Sequence, residues 1–329
     1  MPLNTYATAA QRTNVYAATV FLEHAAPQEV FAKFGEVKPM PKNKAEVISF
    51  RRSVPFPKLT TELAEGVTPT ARQMQFEDVT ATMQEWGDVV ETTDRVRELS
   101  EDPVLAEASK NLGEQAIETI EGVIYGVLKA GSQVGYANGV ARSDVNTALS
   151  SLKIHAATRV LNSQRAKFIT EVMSPSVNYD TRAIEAGYVC FAHTDCEHDI
   201  RALSGFVPVA KYGSRKPISV YELGSFENIR FILTVNAEPF IAAGSSTENG
   251  MKFVTADKVD VYPYIFIARG AFAQVPLKGA KSVEMFVHTG GDKSDPLNQR
   301  DVVGAKYWFT ALRLNENWMY RLECGVTSL

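Results

Sequence analysis

Residues 45–94 set the first constraint on what this chain can fold into. Two extended, largely polar stretches, "AEVISFRRSVPF" (45–56) and "RQMQFEDVTATMQEWGDVVETTD" (72–94), flank the connection "PKLTTELAEGVTPTA" (57–71), which carries Pro57, Gly66 and Pro69. The pattern predicts a long β-hairpin. A two-stranded ribbon buries too little within itself to be stable alone in water, so it needs another surface, on its own chain or on another molecule. Arg51, Arg52 and Pro55 discourage indiscriminate strand addition along such a ribbon while permitting a defined contact.

The rest of the chain is able to supply a body. Its 329 residues, 45% hydrophobic and 22% charged, suit a globular protein with a sizeable core and exceed one typical domain. Lys+Arg 34 against Asp+Glu 38 gives a net charge of −4, without the basic excess with which nucleic-acid-coating proteins neutralise phosphates. Cys190, Cys196 and Cys324 are odd in number and irregular in spacing, so no disulfide framework is expected and a reducing compartment is. The start, "MPLNTYATAAQRTN", has no basic segment followed by an apolar run, and no later run approaches the ~20 apolar residues of a bilayer span. A soluble cytosolic product with no membrane partner is expected.

Residues 1–44 form a low-charge arm better suited to lying along another surface than to a core of its own. The strongest helical pattern runs over 103–130: Asp102 is placed to cap it, Pro103 takes the first turn, and Leu105, Ala108, Leu112, Ala116, Ile120, Val123 and Val127 recur every three or four residues. Its length is about 42 Å at ~1.5 Å per residue. Gly113, Gly122 and Gly126 weaken it and read as points of close approach by a sheet or another helix, while Glu118, Glu121 and Lys129 exclude a membrane role. A second helix is predicted over 144–162, beginning at Ser143 or Asp144, with Leu149, Leu152, His155 or Ala156, and Leu161. Residues 188–288 alternate short strands, "ISVYELG", "IRFILTV", "KFVTADK" and "VDVYPYIFIARGAF", with Gly and Pro turns, the pattern of a compact α+β unit. The last segment, 302–325, reads as two strands joined at "NEN", with Tyr307, Trp308, Phe309, Trp318 and Tyr320 available for cross-strand packing.

Candidate chemistry concentrates in "VCFAHTDCEHDIRAL" (189–203), where Cys190, His193, Asp195, Cys196, His198 and Asp199 lie within ten positions. A zinc site needs a second ligand pair, and His24, His155 and His288 are solitary. A thiol nucleophile needs Cys196 activated by His193 or His198. A strand, "GYVCFAH", running into a helix start capped by Thr194 or Asp195, with Ile200 and Leu203 inward, accounts for more of the stretch. "KGAKS" (278–282) lacks the first glycine of a phosphate loop, having Gln274 there, and "HTGGDKSD" (288–295) reads as a surface loop. No catalytic, cofactor-binding or metal residue is assigned, and no cofactor is expected.

The order of parts, an arm, an extended loop, a spine helix, a compact α+β insertion and closing strands, resembles the Hong Kong 97-like fold of tailed-bacteriophage major capsid proteins. It is most similar to the podovirus-type family, through "ISFRR" (48–52), "LAEGVTP" (63–69), "EWGDVVETTD" (85–94), "HTDCEHDIR" (193–201), "ELGSFENIRFI" (222–232), "DVYPYIFIARGAFAQVPL" (260–277) and "DPLNQRDVVGAKYWFTALRLNENWMYRLE" (295–323). The resemblance implies an N-terminal arm over 1–44, an extended loop over 45–94, a peripheral domain from 95–145 with 289–329, and an axial domain over 146–288. It further implies a non-enzymatic subunit that assembles with itself into pentamers and hexamers of an icosahedral shell, in the host cytoplasm. Its other expected partners are a portal protein at one vertex, scaffolding or decoration proteins, and packaged double-stranded DNA held without sequence-specific binding. Arg51, Arg52, Glu65, Pro69, Arg72 and Trp86 are the candidate subunit-interface residues. Two other readings stand beside it: an encapsulin-like nanocompartment shell, and a metal- or thiol-dependent enzyme using residues 190–199.

Overall fold

A computed structural model describes residues 29–329 except 61, 63, 64, 67, 69, 100–103, 174–180, 214–215, 247–249, 256–257, 279–282, 289–296 and 298. After a 3₁₀ turn, Phe31–Phe34, come β1 (Glu36–Val37), β2 (Met40–Pro41), β3 (Val47–Ser53), β4 (Phe76–Thr82), β5 (Gln84–Thr93), α1 (Asp94–Leu99) and α2 (Val104–Lys129). The middle of the chain supplies β6 (Val134–Tyr136), α3 (Ser151–Ser163), β7 (Ile169–Met173), β8 (Thr181–Ala192), α4 (Glu197–Arg201), β9 (Phe206–Pro208), β10 (Glu222–Phe226) and β11 (Ile229–Leu233). β12 (Tyr262–Ile267), β13 (Phe272–Lys278), β14 (Glu284–His288), β15 (Arg300–Arg313) and β16 (Met319–Cys324) close it. Among the described residues three sheets result: six strands (β1, β2, β5, β13, β14, β15), eight strands (β6–β12 with β16), and the β3–β4 ribbon.

The eight-stranded sheet is covered on both faces, which is why β11 and β12 are buried along their whole length. Strand alternation sorts β8 between two cores. Tyr188, Cys190 and Ala192 meet Ile154, Ala157 and Leu161 of α3 and Ile200 of α4. Val189 and Phe191 turn the other way, to Ile124, Tyr125 and Leu128 of α2. The same helix then reaches the six-stranded sheet: Tyr307, Phe309 and Ala311 join its C-terminal half, and Leu112 packs on Val303 and Ala305 nearer its start. α2 is therefore the wall shared by both sheets.

That double role shifts the stripe that periodicity predicts. Ala108, Leu112 and Ala116 are buried as expected, but Ile124, Tyr125 and Leu128 carry the deep contacts, with Ile120, Val123 and Val127 half-buried beside them. Asp102, Pro103 and the Leu105 side chain lie outside the described residues. The glycines are not points of close approach within the subunit: a Cβ at Gly113, Gly122 or Gly126 would meet nothing within 4 Å, because α2 packs through other faces.

Other expectations give way to tertiary pairing. β5 leaves the hairpin and pairs antiparallel with β15 from Gln84↔Phe309 to Thr93↔Arg300, so the free ribbon is 47–82 rather than the whole of 45–94. The C-terminal strands do not pair with each other. A 3₁₀ turn, Glu316–Trp318, carries the chain from β15 in one sheet to β16 in the other, beside the β12–β13 crossing, where Ala268 N–H donates to Trp318 O (3.0 Å) and Leu314 N–H to Ala271 O (2.9 Å). Trp308 and Trp318 consequently serve different cores, apart from any cross-strand pair. The second long helix begins at Ser151, not 144, because Asp144 accepts from Val140 and Ala141 N–H and Asn138 holds Asn146, fixing an irregular turn. Leu152 is exposed and Ile154 takes the inward place. Among its described residues "KFVTADK" forms a single isolated bridge, Lys258 to Ser246, and Lys252 N–H donates to Val326 O of the C-terminal tail.

The arm runs over this chain's own body where it is described. Val30, Phe31 and Ala32 donate their N–H groups to the Glu121 carboxylate at 3.1, 2.8 and 3.0 Å, and Phe31 packs edge-on to Phe191 at 4.9 Å. Burial pushes the Glu121 carboxyl above its ordinary range against the opposing pull of these bonds. An unsatisfied buried N–H costs ~1–3 kcal/mol. Glu121→Ala is accordingly expected to lower subunit stability by about 3 kcal/mol, with Glu121→Gln, which keeps one acceptor oxygen, losing less than half of that. Urea denaturation of the unassembled subunit measures both, and equal losses would show that the three bonds are not what Glu121 contributes.

Candidate assembly surface

The ribbon has two unlike faces and an uncovered tip. In register Phe50↔Val79 and Ile48↔Ala81, its inner face leans on Met40, Met83, Ala273, Val275, Leu312, Trp308 and Leu314 of the body. Its root is thus held by the same chain. Arg51 Nε and Nη2 donate to the directly opposite Asp78 at 2.7 and 2.9 Å, and Arg52 Nε donates to the opposite Glu77 at 2.8 Å. The Arg51 guanidinium beside Asp78 holds that carboxyl below its usual range. Beyond Ser53, the described tip residues have no regular secondary structure, and Phe56, Leu59 and Met74 are 55%, 75% and 61% exposed. Apolar side chains so placed, on a segment with no core of its own, point to a partner surface.

The six predicted interface residues separate. Arg51 and Arg52 sit together on the ribbon, the latter also donating from Nη1 to Leu314 O at 3.5 Å, beside a crevice that Phe50, Val79, Leu314 and Trp318 line. Glu65 and Arg72 are exposed in the tip, and Pro69 lies outside the described residues. Trp86 belongs elsewhere: on β5, half-buried, it donates its indole N–H to Phe309 O at 3.3 Å within the subunit's own sheet. The apolar tip residues escaped the sequence reading because polar neighbours dilute them. Equally unanticipated was β14, five residues in a row from half-buried to exposed, paired to β15 on one side alone among the described residues.

The cysteine and histidine cluster at 189–203 is scaffold in its geometry. β8 runs into a 3₁₀ turn, Thr194–Cys196, and then α4, as a strand-to-helix reading predicts. The cap is His193 rather than Thr194 or Asp195: its Nδ1 accepts from Asp195 N–H at 3.1 Å. Asp195 is thereby free to accept from Lys252 Nζ (2.5 Å) and the Tyr262 hydroxyl (2.8 Å). Burial raises the Asp195 carboxyl, but those bonds and the nearby charges outweigh it and leave it below its ordinary value. Burial lowers His193. Cys190, Cys196 and Cys324 are all buried, and burial pushes Cys196 up to about 12, the reverse of what activates a thiol. Among the described residues no group of three His, Cys, Asp or Glu side chains is placed to hold a metal ion, and no helix is long and apolar enough to cross a membrane.

Comparison with known proteins places this architecture. Residues 77–321 match the model of a family described as phage capsid protein. No curated protein sequence matches the chain. Among solved structures, the capsid of Ralstonia phage GP4 aligns with a TM-score of 0.69 at 13% identity over 99% of this chain and 98% of that one. The capsid asymmetric unit of cyanophage Pam1 gives 0.68 at 13% identity over 99% of both chains. The SrpI encapsulin of Synechococcus elongatus gives 0.55 at 10% identity over 94% of each. At these identities the likeness is one of fold, and that fold is the Hong Kong 97-like one.

Two outcomes follow from the buried cluster. The three thiols are expected to stay unreactive toward a colorimetric disulfide reagent in the native protein and all to react in denaturant; prompt labelling of Cys196 in the folded state would reopen the nucleophile reading. A carboxyl whose folded pKa lies below its unfolded value stabilises the fold above its ordinary pKa of about 3.9 and loses that contribution as pH falls through the lowered value. Asp195→Asn is therefore expected to lower the melting temperature at neutral pH but flatten its decline between about pH 4 and pH 2. Parallel acid limbs for the two proteins would show that Asp195 is not one of the groups linking stability to pH.

Proposed function

Since the chain belongs to the phage capsid protein family, we propose that this major capsid protein assembles into pentamers and hexamers that close an icosahedral shell. Shell formation is the function that membership of the family establishes, and the protein is a structural one. The proposed arrangement assigns the arm to 1–44, the extended loop to 45–94, the peripheral domain to 95–145 with 289–329, and the axial domain to 146–288. Sheet pairing favours two adjustments: β5 joins the peripheral side, and so do β13 and β14, which share β15 with it.

The observation that supports the reading best is the ribbon, rooted on its own body yet carrying an uncovered apolar tip. In a shell that tip extends the contact of each subunit onto its neighbour, and Arg51, Arg52, Glu65, Pro69 and Arg72 are the proposed residues at or near that contact. Head-to-tail contacts close into rings when their rotation closes, so one chain with adaptable contacts serves fivefold and sixfold positions. A net charge of −4 also suits an inner wall that must not fix the packaged double-stranded DNA. A portal protein at one vertex, scaffolding or decoration proteins, and assembly in the host cytoplasm complete the proposal. The encapsulin-like alternative shares the fold, and the chain's match to the phage capsid family favours the viral shell.

Replacing residues 57–71 by a short Gly-Ser turn tests the role of the tip. The inner face of the ribbon root is untouched, so the monomer is expected to keep its circular dichroism and denaturation midpoint. Assembly should fail or weaken steeply, since each ~1.4 kcal/mol lost per contact is a tenfold change in association constant. Sedimentation and electron microscopy of both proteins at matched concentration give the answer: closed shells from the deletion at normal yield overturn the role of the tip.

A further inference from the structure

We propose that β14 is a dimerisation edge, pairing antiparallel with β14 of a second copy about a twofold axis through Phe286. This rests on the reading of the chain as a shell subunit and names a contact between neighbouring subunits that the extended loop does not make.

The starting point is an edge that lacks the usual protection. β15 is paired along one side by β5 and along the other by β14 and β13. β14 is "EMFVH", with Met285, Phe286 and Val287 at 37%, 43% and 54% exposure and no charge or proline among these three. Among the described residues nothing pairs with its outer side. Natural edges are blunted by charge, proline, bulges or short length. β9, at an end of the eight-stranded sheet, conforms, with three residues ending in Pro208. β14 does not conform, and an unblunted apolar edge is a template for another strand.

The occupant follows from the sequence of the strand itself. A twofold axis through Phe286 sets Phe286 against the second copy's Phe286, Met285 against the second copy's Val287, and Glu284 against the second copy's His288. Size and polarity are thus complementary in one register, with a carboxylate set against an imidazole, and a self-complementary patch is what a twofold contact requires. A shift by two residues either way forfeits the Glu284 to His288 pairing. The sheet face agrees. In register Val89↔Gly304↔Phe286, these three residues form a row on the side away from α2, with Val89 47% exposed. Pairing joins two such rows into one apolar band across the axis. An axis perpendicular to the sheet also keeps both copies of α2 on the same side, as subunits of a shell with one inside and one outside must be.

The test is disulfide trapping in assembled particles. The native thiols are buried, so new cysteines report alone. Directly opposite Cβ atoms in an antiparallel pair lie about 4.5–5.5 Å apart, near disulfide reach, whereas diagonal ones lie about 7–8 Å apart. Phe286→Cys particles treated with a mild oxidant are expected to run as dimers, without higher species, on non-reducing denaturing gels. Met285→Cys alone and Val287→Cys alone should stay monomeric, and particles co-assembled from the two should give dimers. Phe286→Cys particles that stay monomeric, or Met285→Cys alone dimerising as well as the mixture, overturn the proposal. A charge exchange decides the matter where a cysteine variant does not assemble: Glu284→Lys and His288→Glu should each lower particle yield, and the double variant should recover it. A double variant no better than the worse single one overturns the pairing. Phe286→Cys particles that assemble but trap no dimer count against this contact alone, while a wild-type chain that forms no particles counts against the shell reading beneath it.

Discussion

Everything in the subunit hangs on one helix being apolar on more than one side. Ile124 and Leu128 of α2 are fully buried against the eight-stranded sheet, and Leu112 sits on the six-stranded one. At ~1.5–3 kcal/mol for each fully buried large aliphatic side chain, a few such contacts rival the net stability of a domain. Neither sheet closes a core on this side without them. The end of the helix is tied from the strands it joins: Arg313 Nη1 donates to Val127 O at 2.9 Å, and Arg321 Nη1 donates to Lys129 O. Two carbonyls of the last turn are so satisfied by cations from β15 and β16, which complements the negative end of the helix dipole.

Because α2 is shared, the buried charges around it are positioning devices. Glu323, fully buried, accepts from Arg142 at 2.7 and 2.8 Å and from Arg321 at 2.8 Å, and Arg142 stacks over Phe240 at 3.4 Å. Glu121 does the same for the arm through three backbone N–H groups. Such pairs return little net stability, since desolvation cancels most of the attraction, but breaking one leaves an uncompensated charge. They fix where the arm, the helix end and the closing strands meet.

Much of the architecture was legible in local pattern. The apolar run at 188–192 gives a buried strand because alternation hardly matters when both faces are covered, and the three-and-four spacing of 104–129 gives a helix. Partner choice was not legible. β5 and β15 each read as half of a local hairpin, yet each pairs with a distant segment, because register energies come from side chains that the sequence does not place together. Likewise nothing in the sequence links Glu121 to the three N–H groups 89 to 91 positions away, or the Trp86 indole to the carbonyl of Phe309. The ribbon was the exception, since its two strands, β3 and β4, pair with each other as their local pattern predicts.

A subunit of this kind must stay soluble before assembly and adhere afterwards, and the proposed role of the ribbon is compatible with both demands. Its charges are spent within the strand pair, Arg51 on Asp78 and Arg52 on Glu77, so the ribbon holds its register without a neighbour and presents little unpaired charge to repel one. These exposed pairs contribute modestly to stability. Phe56, Leu59 and Met74 are exposed apolar side chains that the proposed contact with a neighbour would cover. Repetition around a closed shell turns weak contacts into a stable particle, because a subunit held at several interfaces leaves only when all of them open together.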